Sequence, residues 1–237
     1  MTPLLTVDRV VKRFGGVAAV DGVSFTLDAG SVLGLIGPNG SGKTTLLGVL
    51  AGTHEPTEGT VTLDGRVASG RGAHRAVHAG IARTFQTTRL FETWTLREGL
   101  RLARGERRGR RTPWPDEAPV ALLGLDHLLD RPCGALTGAA QRLAMIASAL
   151  ATGPRVLLLD EPAVGMDTAD AAALGDAVRR VAGELGVAVI VVDHNMHFLM
   201  PLADTVVVMA AGAVLATGTP EEIRSDEAVI ASYLGGA

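Results

Sequence analysis

The chain has one cysteine, Cys133, in 237 residues. An internal disulfide is excluded, a reducing compartment suits it, and Cys133 reads as a small filler residue. Aromatic residues make up only 3% of the sequence, so aliphatic side chains must fill whatever core forms. There is no excess of basic charge: the net charge is −3 and the isoelectric point near 6.1. The whole chain therefore lacks the electrostatic footprint of a nucleic-acid binder, and no such partner is expected. Long hydrophobic runs are missing too. The plainly apolar stretches, such as Val187 to Val192, are strand-sized, and the opening MTPLLTVDRV has no basic region followed by a long apolar one. Neither a signal peptide nor a membrane span is expected. No internal repeat is evident.

What is present is 47% hydrophobic content, ample for a sizeable core, in a length that allows one or two domains. Residues Gly37 to Thr44 read GPNGSGKT, a complete G-x-x-x-x-G-K-S/T phosphate loop between an apolar stretch and a helical one. Here the loop Gly37, Pro38, Asn39, Gly40, Ser41 and Gly42 is predicted to cradle a β-phosphate, its glycines letting successive backbone N–H groups turn inward. The helix starting at Lys43 aims its positive end at the anion. The Lys43 ammonium reaches the β/γ oxygens, Thr44 offers a hydroxyl to Mg2+, and Thr45 completes the ATP-binding set.

Strand-like runs alternate with helical ones, which predicts an α/β fold around a mostly parallel sheet; together with the phosphate loop it resembles a RecA-like P-loop NTPase core. Val32 to Ile36, Val156 to Leu159 and Val187 to Val192 read as buried parallel strands because they are continuously aliphatic. Val206 to Met209 and Val214 to Ala216 resemble a hairpin. Leu4 to Asp28 and Gly59 to Leu63 read as shorter strands, a flanking antiparallel β subdomain. From about Thr93 to Ala151 the pattern turns helical, with a Pro/Arg/Gly interruption from Arg104 to Pro119. The expected organisation is a single ATPase domain, residues 1–92 and 152–237 forming the core with its β subdomain and 93–151 an inserted helical subdomain.

The strand Val156 to Leu159 runs into Asp160 and Glu161. An acid at the C-terminal end of a buried strand lies where α/β sheets bind ligands, so Asp160 is predicted to hold Mg2+, commonly through water. Glu161 would then face the γ-phosphate and accept a proton from an attacking water. Read without the phosphate loop, the same two acids before Pro162 serve equally as a helix cap.

Three further segments resemble the ATP-binding cassette (ABC) proteins. The run beginning Leu136-Thr-Gly-Ala-Ala resembles their LSGGQ signature and its helix, Gln86 in Arg83-Thr-Phe-Gln86 their glutamine loop, and His194 their switch histidine. Phe14, in Arg13-Phe-Gly-Gly16, resembles the aromatic that stacks on adenine. Order and spacing around the phosphate loop carry the resemblance over nearly the whole chain, which is identified as similar to ABC-transporter nucleotide-binding subunits. The segments Arg83 to Phe91, Asp160 to Gly165 and Gly218 to Gly236 are most similar to the ATP-binding subunits of branched-chain amino-acid importers. Urea and amide importers share much of that pattern.

The resemblance implies an ATP-hydrolysing subunit, ATP and Mg2+ as ligands, and a homodimer or heterodimer with a second such subunit. It implies integral membrane permease subunits, indirectly a substrate-binding protein, and a cytoplasmic position on the inner face of the membrane. Thr137, Gly138 and Ala139 would act in trans on the partner's ATP. His194 would donate to the γ-phosphate, and Gln86 would touch Mg2+ or the attacking water and sense the permease.

The chain departs from the pattern it resembles at Ala139 and Ala140, where the second signature glycine and the glutamine would stand. Ala139 is tolerated if its φ is negative and strained at a glycine-only φ, and the expected result is retained ATP binding with weakened dimer closure. Arg101, Arg104, Arg107, Arg108, Arg110 and Arg111 crowd one stretch, readable as a solvated loop or as a surface for anionic headgroups or acidic permease loops. A DNA-maintenance or translation ABC protein is disfavoured by one compact cassette, and a kinase by the signature and His194. A weakly hydrolysing regulatory subunit is disfavoured by Glu161 and His194.

Overall fold

The computed structural model describes residues 2–70, 72–84, 90–105 and 112–234. Gln86 lies outside them, as do Arg107, Arg108, Arg110 and Arg111. The strands are β1 (Leu5–Phe14), β2 (Val17–Leu27), β3 (Val32–Ile36), β4 (Glu58–Leu63), β5 (Arg66–Val67), β6 (Ile81–Arg83), β7 (Val156–Asp160), β8 (Ala188–Val192), β9 (Thr205–Ala210) and β10 (Ala213–Gly218). The helices are α1 (Lys43–Leu50), α2 (Ala73–Ala79), α3 (Leu96–Gly105), α4 (Ala118–Leu122), α5 (Gly138–Ala151), α6 (Thr168–Leu185), α7 (Met196–Leu202), α8 (Pro220–Ser225) and α9 (Glu227–Leu234).

The continuously aliphatic runs become inner strands of a six-stranded sheet in the order β10-β9-β3-β8-β7-β6, parallel apart from β10. Every residue of β3, β7 and β8 is buried, because helices or the second sheet cover both faces. Successive residues feed opposite cores. Leu157, Leu159, Val189 and Val191 join the cluster shared with α3, α5, α6 and α7. Val156, Leu158, Ala188, Ile190 and Val192 join the cluster shared with α1 and the second sheet. By that period of two, Asp160 emerges on the α1 side, where the phosphate loop is.

The second sheet is antiparallel, β2-β1-β4-β5. Its first two strands are not the shorter ones expected: β1 runs 10 residues and β2 11, against five for β3. Register shifts between Val7 and Val10, Val10 and Lys12, and Lys12 and Arg13 interrupt the alternation that would mark one long strand. Between β6 and β7 in the chain lie α3, α4 and α5, with α5 packed against α3 and α4.

Candidate nucleotide site

The phosphate loop is a steric fit to its own chain. Gly37 has φ 147° and Gly42 φ 100°, and a Cβ on either would stand 2.0 Å from the Met209 carbonyl oxygen or 2.1 Å from that of Ala19. Only glycine fits these two positions. The β9–β10 turn buttresses the loop as well, the Gly212 N–H donating to the Ser41 carbonyl at 3.2 Å. Lys43 opens α1 and folds over the loop, its Nζ donating to the carbonyl oxygens of Gly37 (2.7 Å) and Pro38 (2.9 Å) and to Ser41 Oγ (3.4 Å). Burial pushes its ammonium below the usual lysine value, against the raising pull of Glu161 and Asp160. Thr44 is exposed beside it and Thr45 partly so. A cation at the N-terminus of a helix, with glycine backbone around it, is chemistry suited to a polyphosphate.

At the end of β7, Asp160 is buried and paired with Arg83, whose Nη2 lies 2.7 Å from Asp160 Oδ2. Glu161 follows in the left-handed region, φ 47°. Both of its peptide groups are held: its N–H donates to the Val192 carbonyl (2.7 Å), and its own carbonyl accepts from Arg142 Nη1 (3.1 Å). Positive φ at a carboxylate residue costs on the order of 1–3 kcal/mol and persists where the surroundings over-determine it. Arg142, from α5, also donates to the Val164 carbonyl at 2.8 Å, so the signature helix grips the segment after Glu161.

His194 Nδ1 stands 3.9 Å from Glu161 Oε1 with its side chain 73% exposed, so the histidine and the acid share one rim of the site. Asp193 beside it is 1% exposed and accepts from the Ala163 and Asn195 N–H groups, tying the two rim segments together.

Phe14, at the end of β1, is 49% exposed and so not a core residue. Its ring meets His54 edge-to-face at 5.5 Å between centroids, and Lys12 Nζ stands 5.0 Å from its centroid. Thr137 caps α5, its Oγ1 accepting from the Ala140 N–H at 3.3 Å. Ala139 therefore lies in the first turn of a helix and is absent from the positive-φ residues. Of the two outcomes open for it, the strained one does not occur. Among the described residues no hydrogen bond joins Thr137, Gly138 or Ala139 to the phosphate loop, whereas Lys43, Asp160, Glu161 and His194 are brought to one end of the sheet.

A sequence profile described as ABC transporter matches residues 20–164. The chain belongs to the ABC transporter family. It is an ATP-binding subunit of that family, an ATPase that works with membrane permease components. A second profile, described as branched-chain amino acid ATP-binding cassette transporter, matches residues 213–237. The chain is 36% identical to the high-affinity branched-chain amino acid transport ATP-binding protein BraF of Pseudomonas aeruginosa, and 33% identical to LivG of Escherichia coli K12, over 99% of each chain. Among solved structures, the ADP conformation of MJ1267, an ATP-binding cassette of an ABC transporter, superposes with a TM-score of 0.88 at 30% identity. That superposition covers 99% of this chain and 100% of the other. No helix among the described residues of this ABC subunit is long and apolar enough to cross a membrane.

Sequence reasoning missed Arg83, Arg142, Lys12 and Asp193 in this ABC site. Only Asp193 had a legible signal, an acid directly after a buried strand, much as Asp160 ends one.

Proposed function

We propose that this ABC subunit powers the uptake of branched-chain or chemically related amino acids, with ATP bound at the phosphate loop and hydrolysed with Glu161 as general base. The observation that carries the substrate class is the match of residues 213–237 to the branched-chain amino acid profile, joined to full-length similarity to BraF. The two glycines without room for a Cβ, and the buried Asp160 carboxylate on the α1 side of the sheet where the phosphate loop lies, fit a magnesium nucleotide. Mg2+ would be held by Thr44, Asp160 through water, and Gln86, and supplies neutralisation of phosphate charge when bound. Lys43 leaves the Gly37 and Pro38 carbonyls for the β/γ oxygens. Glu161 draws the proton from the attacking water, and His194, on the same rim, donates to the γ-phosphate as charge shifts. Phe14 stacks on adenine.

Thr137, Gly138 and Ala139 face solvent or nearly so, which supports their acting on ATP held by a second, head-to-tail subunit, identical or related. Residues 93–151, as a helical subdomain, would carry that signature toward and away from the partner. Phe91 and Trp94, 4.6 Å apart between ring centroids and exposed, adjoin the Gln86 segment and offer a permease loop an apolar patch. The subunit would then sit on the cytoplasmic face of the membrane, reached indirectly by a substrate-binding protein.

Co-purification with the membrane partners, followed by ATPase assay in the presence of loaded binding protein, tests the reading. Leucine, isoleucine or valine should stimulate turnover. Stimulation by urea or acetamide alone would transfer the subunit to the amide importers.

A further inference from the structure

Arg83 closes β6 and Asp160 closes the neighbouring strand β7. The strands are parallel with Arg83 opposite Leu158, and Arg83 continues the parity of Ile81 as Asp160 continues that of Val156 and Leu158. Both side chains therefore emerge on the α1 side of the sheet. There Arg83 Nη2 approaches Asp160 Oδ2 to 2.7 Å, with the side chains 13% and 9% exposed. So dry a guanidinium–carboxylate contact is strong, and it cannot open without a replacement cation, because an unpaired buried carboxylate is costly. Lys43 feels the charge of Asp160 but spends its own contacts on Gly37, Pro38 and Ser41.

The inference rests on the reading of Asp160 as the carboxylate that serves Mg2+. A Mg2+-bound water would have to donate to the Asp160 carboxylate, and an oxygen already accepting a guanidinium N–H at 2.7 Å is contested. Immediately after Arg83, the Thr84 N–H donates to the Leu158 carbonyl at 2.9 Å, the last rung before the segment containing Gln86. We propose that Arg83 is the resident counter-cation of Asp160, displaced when Mg2+ enters with the nucleotide, so that the strand feeding the Gln86 segment and the metal compete for one carboxylate. Withdrawal of Arg83 would raise Mg2+ affinity, and Mg2+ binding would in turn release the end of β6, since coupling of two equilibria is reciprocal.

Calorimetric titration of ATP into the full chain at graded Mg2+ concentrations tests this in wild type, Arg83→Gln, Arg83→Lys and Asp160→Asn. In Arg83→Gln the Mg2+ concentration for half-maximal ATP binding should fall roughly five- to tenfold, while Mg2+-free ATP binding weakens because the carboxylate stands bare beside the phosphates. Arg83→Lys keeps the charge but loses the planar fork, and should fall between. An Arg83 that only braces the fold would weaken Mg2+-free and Mg2+-loaded binding alike, and that result, or an unchanged Mg2+ requirement, overturns the proposal. Should Arg83→Gln fail to fold, Arg83→Lys alone decides, a wild-type Mg2+ requirement overturning it. Asp160→Asn separates the two readings: a raised Mg2+ requirement there with none lowered in the Arg83 variants removes only the role of Arg83. No change in Asp160→Asn removes the metal role of Asp160 and this inference together.

Discussion

At Gly37 and Gly42 a methyl group would drive into the Met209 and Ala19 carbonyl oxygens, whereas at Gly138 it would meet nothing within 4 Å. The phosphate loop is finished within one chain: backbone fills the space behind Gly37 and Gly42, and Lys43 is held by three loop oxygens. The signature end is open. Thr137 spends its hydroxyl on its own helix, and Gly138 stands exposed. Constraints at the first end come from this chain's packing; at the second, beyond the Thr137 cap, the proposed head-to-tail partner would supply them. Substitutions at the phosphate end should therefore fail in the isolated subunit, and those at the signature end only when a second copy arrives.

The largest effect is expected at Lys43→Ala. It removes the one side-chain cation built into the loop, a loss of at least about 3 kcal/mol in ATP affinity for charge-assisted bonds to phosphate. Calorimetry on the isolated subunit checks it, and wild-type affinity would break the phosphate-loop side of the comparison. Next comes Glu161→Gln, where turnover should drop roughly 100-fold with MgATP binding retained. Glutamine keeps the backbone bonds to Val192 and Arg142, so the loss would be chemical rather than conformational. An unchanged steady-state ATPase rate in the pure variant would remove Glu161 from the role of base.

The same contrast governs what was legible in the sequence. Inner strands declare themselves because both faces are buried, which leaves an unbroken aliphatic run in β3, β7 and β8. The phosphate loop declares itself because its function fixes residue types at fixed spacing. Arg83 and Arg142 did not, since their partners stand 77 and 19 residues away and an arginine at the end of a strand or early in a helix has many ordinary uses. The β1–β2 pair was underestimated in length because its register shifts scramble the period of two. At Ala139 the sequence allowed two backbones, and the Thr137 cap decides between them by starting the helix one residue earlier.

A smaller effect is expected at Phe14→Ala. Loss of a stacking face should weaken ATP binding by about 1 to 3 kcal/mol, with Phe14→Tyr nearly silent. Because the ring is half exposed, thermal stability should barely move, and this separates stacking from packing. Displacement of a fluorescent ATP analogue measures the first and a melting curve the second. Intact affinity would leave the adenine without a nominated contact, and a large drop in melting temperature would show that the ring's contacts serve stability rather than stacking.

The smallest effect is expected at the open end, and the structure changes its origin. With Ala139 in the first turn of α5, restoring glycine relieves no backbone strain and gives up helix propensity, up to about 1 kcal/mol at an interior position. Any gain must come from the partner's side of the contact. Ala140→Gln instead returns an amide to a position whose own N–H is already satisfied by Thr137, leaving the new side chain available to a second subunit. In an isolated Glu161→Gln background, Ala140→Gln should strengthen ATP-driven dimerisation by about 1 kcal/mol, the net value of one hydrogen bond, while Ala139→Gly alone should not strengthen it. Light scattering against ATP concentration resolves the difference. Stronger dimerisation from Ala139→Gly alone would mean that the methyl itself obstructs the partner's nucleotide. Coincident curves for Ala140→Gln and its parent would show that the lost glutamine is neutral here, and the expectation of weakened closure would go with it.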